Sequence, residues 1–405
     1  MARIVLVVPN ATYRAQDFVR AADALGAEVV VASDRRPALA SVMGSRSILV
    51  DLDQPELAAQ AIIASARRSG VEAVIGVDDQ GVLIAALASH GLGLRHNPPE
   101  AVAATRDKRA MRAALERAQV PQPRWRALAG GGDVAKVVRE IGWPCVIKPT
   151  TLAASRGVIR ADDLDSVCAA AARARGVALE ASGSADLLVE EYIEGIEVAV
   201  EGLLRSGDLE VLAIFDKPDP LQGPYFEETI YVTPSRLSRG EKARIEERTS
   251  DAARALGLTE GPVHAELRID SDDARVIEMA ARSIGGLCSR ALRFGMGTSL
   301  EELILRHALG LEISMSEREA KASGVMMIPI PRGGWLRKVG GQDEARAIAG
   351  IDGLQITIPI GRPVVPLPEG DRYLGFIFAS ATTPEEVEGA LRRAHALLAI
   401  DIGDP

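Results

Sequence analysis

Apolar runs and amphipathic segments alternate along the first hundred residues. Strands that alternate with helices are typical of a parallel sheet covered by helices on its faces. The buried strands are predicted at residues 4–8, 28–32, 47–50 and 73–77, and the helices at 13–25 and 56–68. We therefore predict a parallel α/β domain over residues 1–100. A G-x-G-x-x-G motif is missing after the first strand, which disfavours NAD binding.

Prolines divide the remainder of the chain. Asn97-Pro98-Pro99 marks the first boundary, and a helix predicted over residues 101–119 ends at the proline-containing segment 120–123. Strands, loops and helices are then mixed as far as residue 315. A C-terminal unit over residues 316–405 has an antiparallel α+β pattern. It is predicted to contain a helix over 316–323, strands over 325–330, 354–358 and 373–379, and a helix over 384–398. The fold class is thus α/β and α+β, with several domains.

Composition narrows the class of protein. A chain of 405 residues with 47% hydrophobic and 25% charged residues is typical of a multidomain globular protein. The net charge of −9 argues against non-specific nucleic-acid binding. No apolar run approaches the ~20 residues that span a bilayer, and the first nine residues fit a buried strand better than a signal peptide. The three cysteines lack metal-ligand spacing and are odd in number, so each is expected to be a small buried side chain or a free thiol, which favours a reducing, cytoplasmic location. A homodimer is the default expectation.

Lysine is rare in this chain. It occurs only at positions 108, 136, 148, 217, 242, 321 and 338, although lysine and arginine together number 47. Where arginine supplies most positive charge, a remaining lysine has a raised chance of being required as lysine. A compact ammonium is the usual choice where a point charge faces a phosphate.

The strongest chemical signal is a predicted β-hairpin over residues 263–280. In its first strand His264, Glu266, Arg268 and Asp270 alternate with apolar residues, and residues 271–274 have the composition of a turn. A turn centred on Asp272 would place Glu266 opposite Glu278. Two like charges at a cross-strand position repel, so a cation such as Mg²⁺ is expected between them. Two solvated glutamates, with the turn elsewhere, are the alternative.

Arginine and glycine follow this hairpin directly. Arg282 comes four residues after Glu278 and could bind phosphoryl or carboxylate oxygens with two N–H groups, or form an ordinary surface ion pair. Gly285 and Gly286 would allow a ligand to approach the backbone closely, or form a turn.

Four further motifs precede the hairpin in a fixed order. They are Asp107-Lys108, Trp143-Pro144-Cys145-Val146-Ile147-Lys148-Pro149, the small-residue loop 150–158, and Leu188-Val189-Glu190-Glu191-Tyr192-Ile193-Glu194-Gly195-Ile196-Glu197. From about residue 100 to 310 this series resembles the ATP-grasp superfamily. Within it the chain is most similar to the L-amino acid ligases that form dipeptides, including bacilysin-type synthetases. The C-terminal section, with Tyr373-Leu374-Gly375-Phe376, resembles the extra domain of that group.

The resemblance implies an architecture and a set of roles. It implies a pre-ATP-grasp domain at 1–100, an ATP-grasp domain at 101–315 with a nucleotide lobe at about 121–193 and a metal and substrate lobe at about 194–315, and a C-terminal domain at 316–405. The implied ATP-binding residues are Lys108, Lys148, Ser155, Arg156, Gly157, Glu190, Glu191, Tyr192, Ile193 and Glu197. Glu266 and Glu278 would bind Mg²⁺ or Mn²⁺, and Arg282 would stabilise the transferring phosphoryl group.

One position departs from the wider superfamily. Many ATP-grasp enzymes have an asparagine two residues after the second metal glutamate, and this chain has Ala280. The amino acid ligase group has small residues there, so we interpret Ala280 as a subgroup feature; loss of activity is the alternative.

Substrate residues are harder to identify from sequence. Glu227 or Glu228 could receive an ammonium group, and His264, Ser283, Gly285 and Gly286 could contact substrate. A polar entrance loop and a structural histidine are the competing interpretations.

The expected function is an ATP-dependent carboxylate–amine ligase with an acyl-phosphate intermediate. Its substrates would be a small carboxylate and an amine, with an amino acid among them. Another ATP-grasp activity, such as carboxylation or phosphoryl transfer, and a nucleotide-binding protein without turnover are the alternatives.

Overall fold

The computed structural model describes residues 2–10, 12–35, 46–295, 297–313 and 318–404. Its N-terminal part is a parallel four-stranded sheet in the order β3-β2-β1-β4, as the alternating pattern predicts. The elements are β1 (Arg3–Val7), α1 (Ala15–Ala24), β2 (Glu28–Ser33), β3 (Ser47–Leu49), α2 (Pro55–Ser69), β4 (Ala73–Gly76), α3 (Asp79–Leu92), α4 (Pro99–Arg106) and α5 (Lys108–Arg117).

A small antiparallel sheet follows, in the order β5-β8-β6-β7. Leu187, Val189, Cys145 and Ile147 pack with helix residues into one apolar core on this sheet. The elements are β5 (Trp125–Leu128), α6 (Val134–Ile141), β6 (Cys145–Pro149), β7 (Ile159–Ala161), α7 (Leu164–Ser182) and β8 (Leu187–Glu191).

An eight-stranded antiparallel sheet forms the centre of the molecule. Its order is β13-β12-β9-β10-β11-β14-β18-β16, so strands of the C-terminal section continue the sheet that carries the glutamate hairpin. A three-stranded sheet, β17-β15-β19, lies beside it. The elements are β9 (Ile196–Arg205), β10 (Asp208–Asp216), β11 (Ile230–Thr233), α8 (Arg239–Leu256), β12 (Gly261–Ile269), β13 (Ala274–Ala280), α9 (Leu300–Ala308), β14 (Ala322–Ile328), β15 (Gly334–Gly340), α10 (Gln342–Arg346), β16 (Ile351–Ile356), β17 (Pro363–Val364), β18 (Gly375–Ala381), α11 (Pro384–Ala396) and β19 (Ala399–Gly403).

One apolar core joins the parallel sheet to the central sheet. Ile4 and Phe18 of the N-terminal part belong to the same buried cluster as Phe215 and Phe376 of the central sheet. Burial of aromatic and aliphatic surface is the dominant favourable term in folding, so this shared core fixes the N-terminal part against the central sheet.

Two predictions about helices are wrong, and one helix was missed. The helix predicted over residues 101–119 is two helices, because Asp107 is extended (φ −116°, ψ 106°) and its side chain accepts hydrogen bonds from Arg109 N and Ala110 N as the N-cap of α5. The helix predicted over 316–323 is absent from the described residues 318–323, and β14 begins at Ala322; residues 316 and 317 lie outside the described residues. Helix α3 was not predicted, because it is buried on several faces and lacks clear amphipathic periodicity.

Candidate active site

A cavity of about 520 Å³ lies where the N-terminal part, the small sheet, the central sheet and the C-terminal section meet. Most residues that the sequence singled out line it. They are Lys108, Lys148, Ser155, Glu190, Glu191, Tyr192, Ile193, Glu197, Glu228, His264, Glu266, Glu278, Arg282, Gly285 and Gly286. Arg156, Gly157, Glu227 and Ser283 are not among the lining residues.

The hairpin has the predicted pairing. Strands β12 and β13 are antiparallel, Glu266 lies directly opposite Glu278, and a β-bulge follows Glu266. The two side chains are 22% and 30% exposed. Lys108 Nζ lies 3.0 Å from Glu278 Oε1, and the β12 residue His264 has Nε2 3.4 Å from Glu266 Oε1. Two facing carboxylates that keep open oxygen atoms toward a cavity are a donor set that fits Mg²⁺.

Glu190 is the centre of a buried ionic cluster. Arg112 donates from Nε to Oε1 (2.7 Å) and from Nη2 to Oε2 (3.0 Å), and Lys148 Nζ lies 2.6 Å from Oε2. Burial alone would raise the pKa of Glu190, but Arg112 and Lys148 outweigh it and lower the pKa to about 2. Arg112 also donates to the backbone oxygens of Val276 and Ile277 in β13. This cluster therefore ties the small sheet to the hairpin.

Lys217, at the end of β10, lies among carboxylates. Its Nζ is 2.8 Å from Glu197 Oε1, donates to Glu228 Oε1 and is 3.6 Å from Glu266 Oε1. Burial would lower the pKa of Lys217, but the three carboxylates raise it well above its usual range. The other oxygen of Glu197 accepts from Arg268 Nε at 2.8 Å.

Arg282 is held by the N-terminal part of the molecule. Its Nε and Nη2 donate to the two carboxylate oxygens of Asp79, both at 2.8 Å. The buried Arg14, also from the N-terminal part, donates from Nη2 to Ser283 Oγ at 2.6 Å, so the Ser283 hydroxyl is used inside the structure. Arg282 is thus oriented from outside its own sheet.

The loop after Lys148 reaches toward the C-terminal section. Ala154 and Ser155 have positive φ angles (56° and 54°), so the loop turns sharply where it lines the cavity. Gly157 N donates to Pro368 O (2.8 Å), and Arg156 Nε donates to Glu369 O (2.9 Å). Arg156 and Gly157 therefore bind protein backbone in this structure.

The substrate candidates divide into two groups. Glu228 faces the cavity and accepts from Tyr231 Oη at 2.6 Å, whereas Glu227 is half-buried away from the lining and burial raises its pKa. His264 Nδ1 lies 2.5 Å from the buried Glu201. Burial would lower the pKa of His264, but Glu201 raises it to about 9, so the ring is held as a cation beside Glu266.

Sequence reasoning missed several residues of this site. They are Arg14, Asp79, Arg112, Glu201, Lys217, Arg268 and the lining segment 371–373. Two signals were available. The scarcity of lysine marks Lys217, and the alternation of β12 places Arg268 on the same face as Glu266. The other residues reach the site from distant parts of the chain.

Comparisons with known proteins place this architecture in a family. The ATP-grasp domain matches residues 141–291, the ATP-grasp N-terminal domain matches 19–96, and the L-amino acid ligase C-terminal domain 2 matches 326–403. These matches show an ATP-grasp domain preceded by its N-terminal domain, and a C-terminal part that is similar to that of L-amino acid ligases.

Individual relatives agree with this assignment. An uncharacterised protein of Sinorhizobium fredii is 25% identical over 73% of this chain and 61% of its own length. Alanine–anticapsin ligase of Bacillus subtilis is 29% identical over 54% of this chain and 50% of its own length. The chain thus spans only about half to three-fifths of these relatives. The crystal structure of L-amino acid ligase from Bacillus licheniformis has the same fold, with a TM-score of 0.82, 24% identity and coverage of 100% of this chain and 99% of its own.

Proposed function

We propose that the protein is an ATP-dependent carboxylate–amine ligase that forms an amide or peptide bond with an amino acid substrate and releases ADP and phosphate. The observation that carries this proposal is the cavity in which Glu266, Glu278, Lys108, Lys148 and Arg282 lie together. The names of the relatives, an alanine–anticapsin ligase and an L-amino acid ligase, support the same reaction class.

The nucleotide would lie between the small sheet and the central sheet. Lys108 and Lys148 would supply ammonium groups for its phosphates. The loop containing Ser155, Arg156 and Gly157 would cover them with backbone N–H groups after Gly157 N releases Pro368 O and Arg156 N releases Ala153 O. The backbone of residues 190–193 would hydrogen-bond the adenine base. The side chain of Glu190 is already bound to Arg112 and Lys148. Glu197 would bind the ribose.

The carboxylates of the hairpin would hold the metal. Glu266 and Glu278 present oxygen atoms from facing strands, and their partial exposure leaves lone pairs for Mg²⁺ or Mn²⁺. A bound divalent ion would neutralise charge on the phosphates of ATP. Arg282, with Asp79 fixing its orientation, would stabilise negative charge on the transferring phosphoryl group.

The proposed reaction has two displacements. A carboxylate oxygen of the substrate bonds to the γ-phosphorus, the bond from that phosphorus to the β–γ bridging oxygen breaks, and ADP leaves. The amine nitrogen then bonds to the acyl carbon, the carbon–oxygen bond to phosphate breaks, and the amine loses a proton. Closure of the loop after Lys148 would keep water from hydrolysing the acyl phosphate.

The substrates would occupy the end of the cavity near Gly285 and Gly286. Glu228 offers a carboxylate to an ammonium group there, and Tyr231, Tyr373 and Ile284 line the same space. His264 is bound between Glu201 and Glu266, so we propose that it positions Glu266. Glu227 and Ser283 stay predictions, with the geometry favouring structural roles for both.

An ADP-release screen tests the proposal. Amino acids and other small acids are supplied singly and in pairs, with Mg²⁺ and ATP, and product masses are measured. The proposal requires ADP release that depends on a free amine, and a product lighter than the two substrates by one water. ADP release with bicarbonate alone would instead support carboxylation, and ATP binding without turnover across the panel would support a regulatory protein.

Two further predictions rest on sequence alone. A cytoplasmic location and a homodimer stay predictions. Among the residues that the structure describes, no helix combines the length and the apolar character needed to cross a membrane.

A further inference from the structure

Lys217 is a buried ammonium without a role in the proposed reaction. Its side chain is 3% exposed, and it contacts three carboxylates that come from three different strands or loops. These are Glu197 at the start of β9, Glu228 before β11, and Glu266 in β12. Three carboxylates in one buried place repel each other unless a cation lies among them.

The three carboxylates have the geometry of a cation site. One oxygen atom from each of Glu197, Glu228 and Glu266 lies within 4.8 Å of the others, a grouping that could hold a metal ion. The Nζ atom of Lys217 contacts the same three oxygen-bearing groups, at 2.8 Å from Glu197 and 3.6 Å from Glu266. The lysine ammonium therefore serves as the cation of this cluster.

Each carboxylate also reaches a different part of the cavity. The second oxygen of Glu197 binds Arg268, the carboxylate of Glu228 binds Tyr231, and Glu266 faces Glu278 across the hairpin. In the proposed function these are the ribose, substrate and metal positions. A single ammonium thus lies at the point where the three meet.

We propose that Lys217 is a positioning residue that sets the geometry of the ribose, substrate and metal carboxylates together, so that ADP affinity depends on it. The proposal rests on the proposed nucleotide site. An ammonium has three N–H groups that diverge toward three acceptors, whereas a guanidinium is a planar fork suited to one or two. This difference accounts for a lysine at position 217 in a chain that uses arginine almost everywhere else.

Calorimetric titration of the full chain with ADP, without divalent metal, tests this inference. Lys217→Arg keeps the charge but not the geometry, and we expect it to weaken ADP binding by ~10–100-fold, the usual effect of losing a positioning partner. Lys136→Met is the matched control, because Lys136 is exposed on α6, and we expect it to bind ADP like the original chain. Thermal melting checks that each variant is folded.

A second variant separates positioning from general damage. Glu228 is predicted to face substrate rather than ADP, so we expect Glu228→Gln to change ADP affinity through its contact with Lys217. We expect a change of at least ~3-fold, which disappears when Glu228→Gln is combined with Lys217→Arg. Unchanged ADP affinity in Lys217→Arg, or in Glu228→Gln if Lys217→Arg does not fold, overturns the inference. Absence of ADP binding by the original chain overturns the proposed nucleotide site and this inference with it.

Discussion

Glu190 and the hairpin pair Glu266 and Glu278 lie beside the same cavity but differ in how completely their carboxylate oxygens are hydrogen-bonded. The side chain of Glu190 is 3% exposed, and its two oxygens accept from Arg112 and Lys148. The side chains of Glu266 and Glu278 are 22% and 30% exposed. Both groups carry negative charge into the protein, but only the second leaves oxygen atoms directed at open space.

The difference separates structural from chemical roles. A carboxylate whose lone pairs are all used by fixed cations stabilises the contact between domains and has nothing to offer a ligand. A facing pair that keeps open lone pairs beside its contacts with Lys108, His264 and Lys217 can bind a further cation. We therefore expect Glu266 and Glu278 to be the ligand-binding glutamates of this site, whereas Glu190 binds Arg112, which donates to the backbone of the hairpin.

Removing a carboxylate of the hairpin pair, or the guanidinium of Arg282 beside it, should have the largest effect on activity. We expect Glu278→Gln and Arg282→Ala each to lower the rate of ADP release by ~10²–10³-fold, because electrostatic stabilisation of this kind is worth ~3–4 kcal/mol per group. The rate with the best substrate pair measures this. Near-normal rates in both variants would show that the site assignment is wrong.

Breaking the buried ionic cluster of Glu190, Arg112 and Lys148 should instead destabilise the fold. Arg112→Met leaves Glu190 buried with one partner fewer, and loss of a partner from a buried ion pair costs ~3–5 kcal/mol. We expect a clear fall in Tm by scanning calorimetry. Arg109→Met, on the exposed side of α5, is the control; an equal Tm for both variants would contradict the structural role.

The ionic cluster around Glu190 should also make the free energy of unfolding depend on pH in the acid range. The pKa of Glu190 is lowered to about 2 from an ordinary value of 4.5, so its stabilisation is present above pH 4.5 and is lost as the pH falls toward 2. A shift of this size corresponds to about 3 kcal/mol. The Tm difference between the original chain and Glu190→Gln should shrink over this pH window. A constant difference would exclude a charged Glu190.

The contact between Arg282 and Asp79 should have an intermediate effect. Asp79→Asn keeps the side-chain shape but removes the negative charge that orients the guanidinium of Arg282 through two hydrogen bonds. We expect kcat to fall by ~10–100-fold with little change in KM for ATP, because misplacement of a catalytic group by ~1 Å can cost ~10²-fold. Steady-state kinetics measures the split, and a change in KM alone would argue against orientation.

An exposed ion pair should matter least. Arg173 binds both oxygens of Glu369 at 2.5 and 2.9 Å, but the two side chains are 44% and 38% exposed. Solvent screening limits such pairs to ~0.2–1 kcal/mol, so Glu369→Gln should lower Tm only slightly. A fall in Tm as large as that of Arg112→Met would mean that burial does not decide the strength of these pairs.

Local patterns predicted the parts of the fold that depend on near neighbours. The alternation in β12 and the turn residues predicted the hairpin and the pairing of Glu266 with Glu278. The register beside the turn, with Leu267 opposite Val276, would place Ile277 opposite Glu266, and the β-bulge after Glu266 brings Glu278 there instead. The break at Asp107 was missed, although an aspartate before a helix is a common N-cap. Helix α3 was missed because an element buried on several faces has no polar stripe.

Long-range contacts within the site could not be read from local pattern. Asp79 lies 203 positions from Arg282, and Arg14 lies 269 positions from Ser283. Their meeting depends on how the N-terminal sheet packs over the central sheet, which no local periodicity encodes. Glu190 shows the same limit, since only the packing of α5 reveals that its side chain is already bound.

Transfer of an oxygen isotope tests the central claim most directly. The carboxylate substrate is labelled with ¹⁸O, the reaction is run with unlabelled ATP and amine, and the released phosphate is measured by mass spectrometry. Activation through an acyl phosphate predicts one ¹⁸O atom in phosphate for each amide formed, since the carbon–oxygen bond breaks when the amine attacks. Unlabelled phosphate, released while the amide forms, would contradict carboxylate phosphorylation at this site.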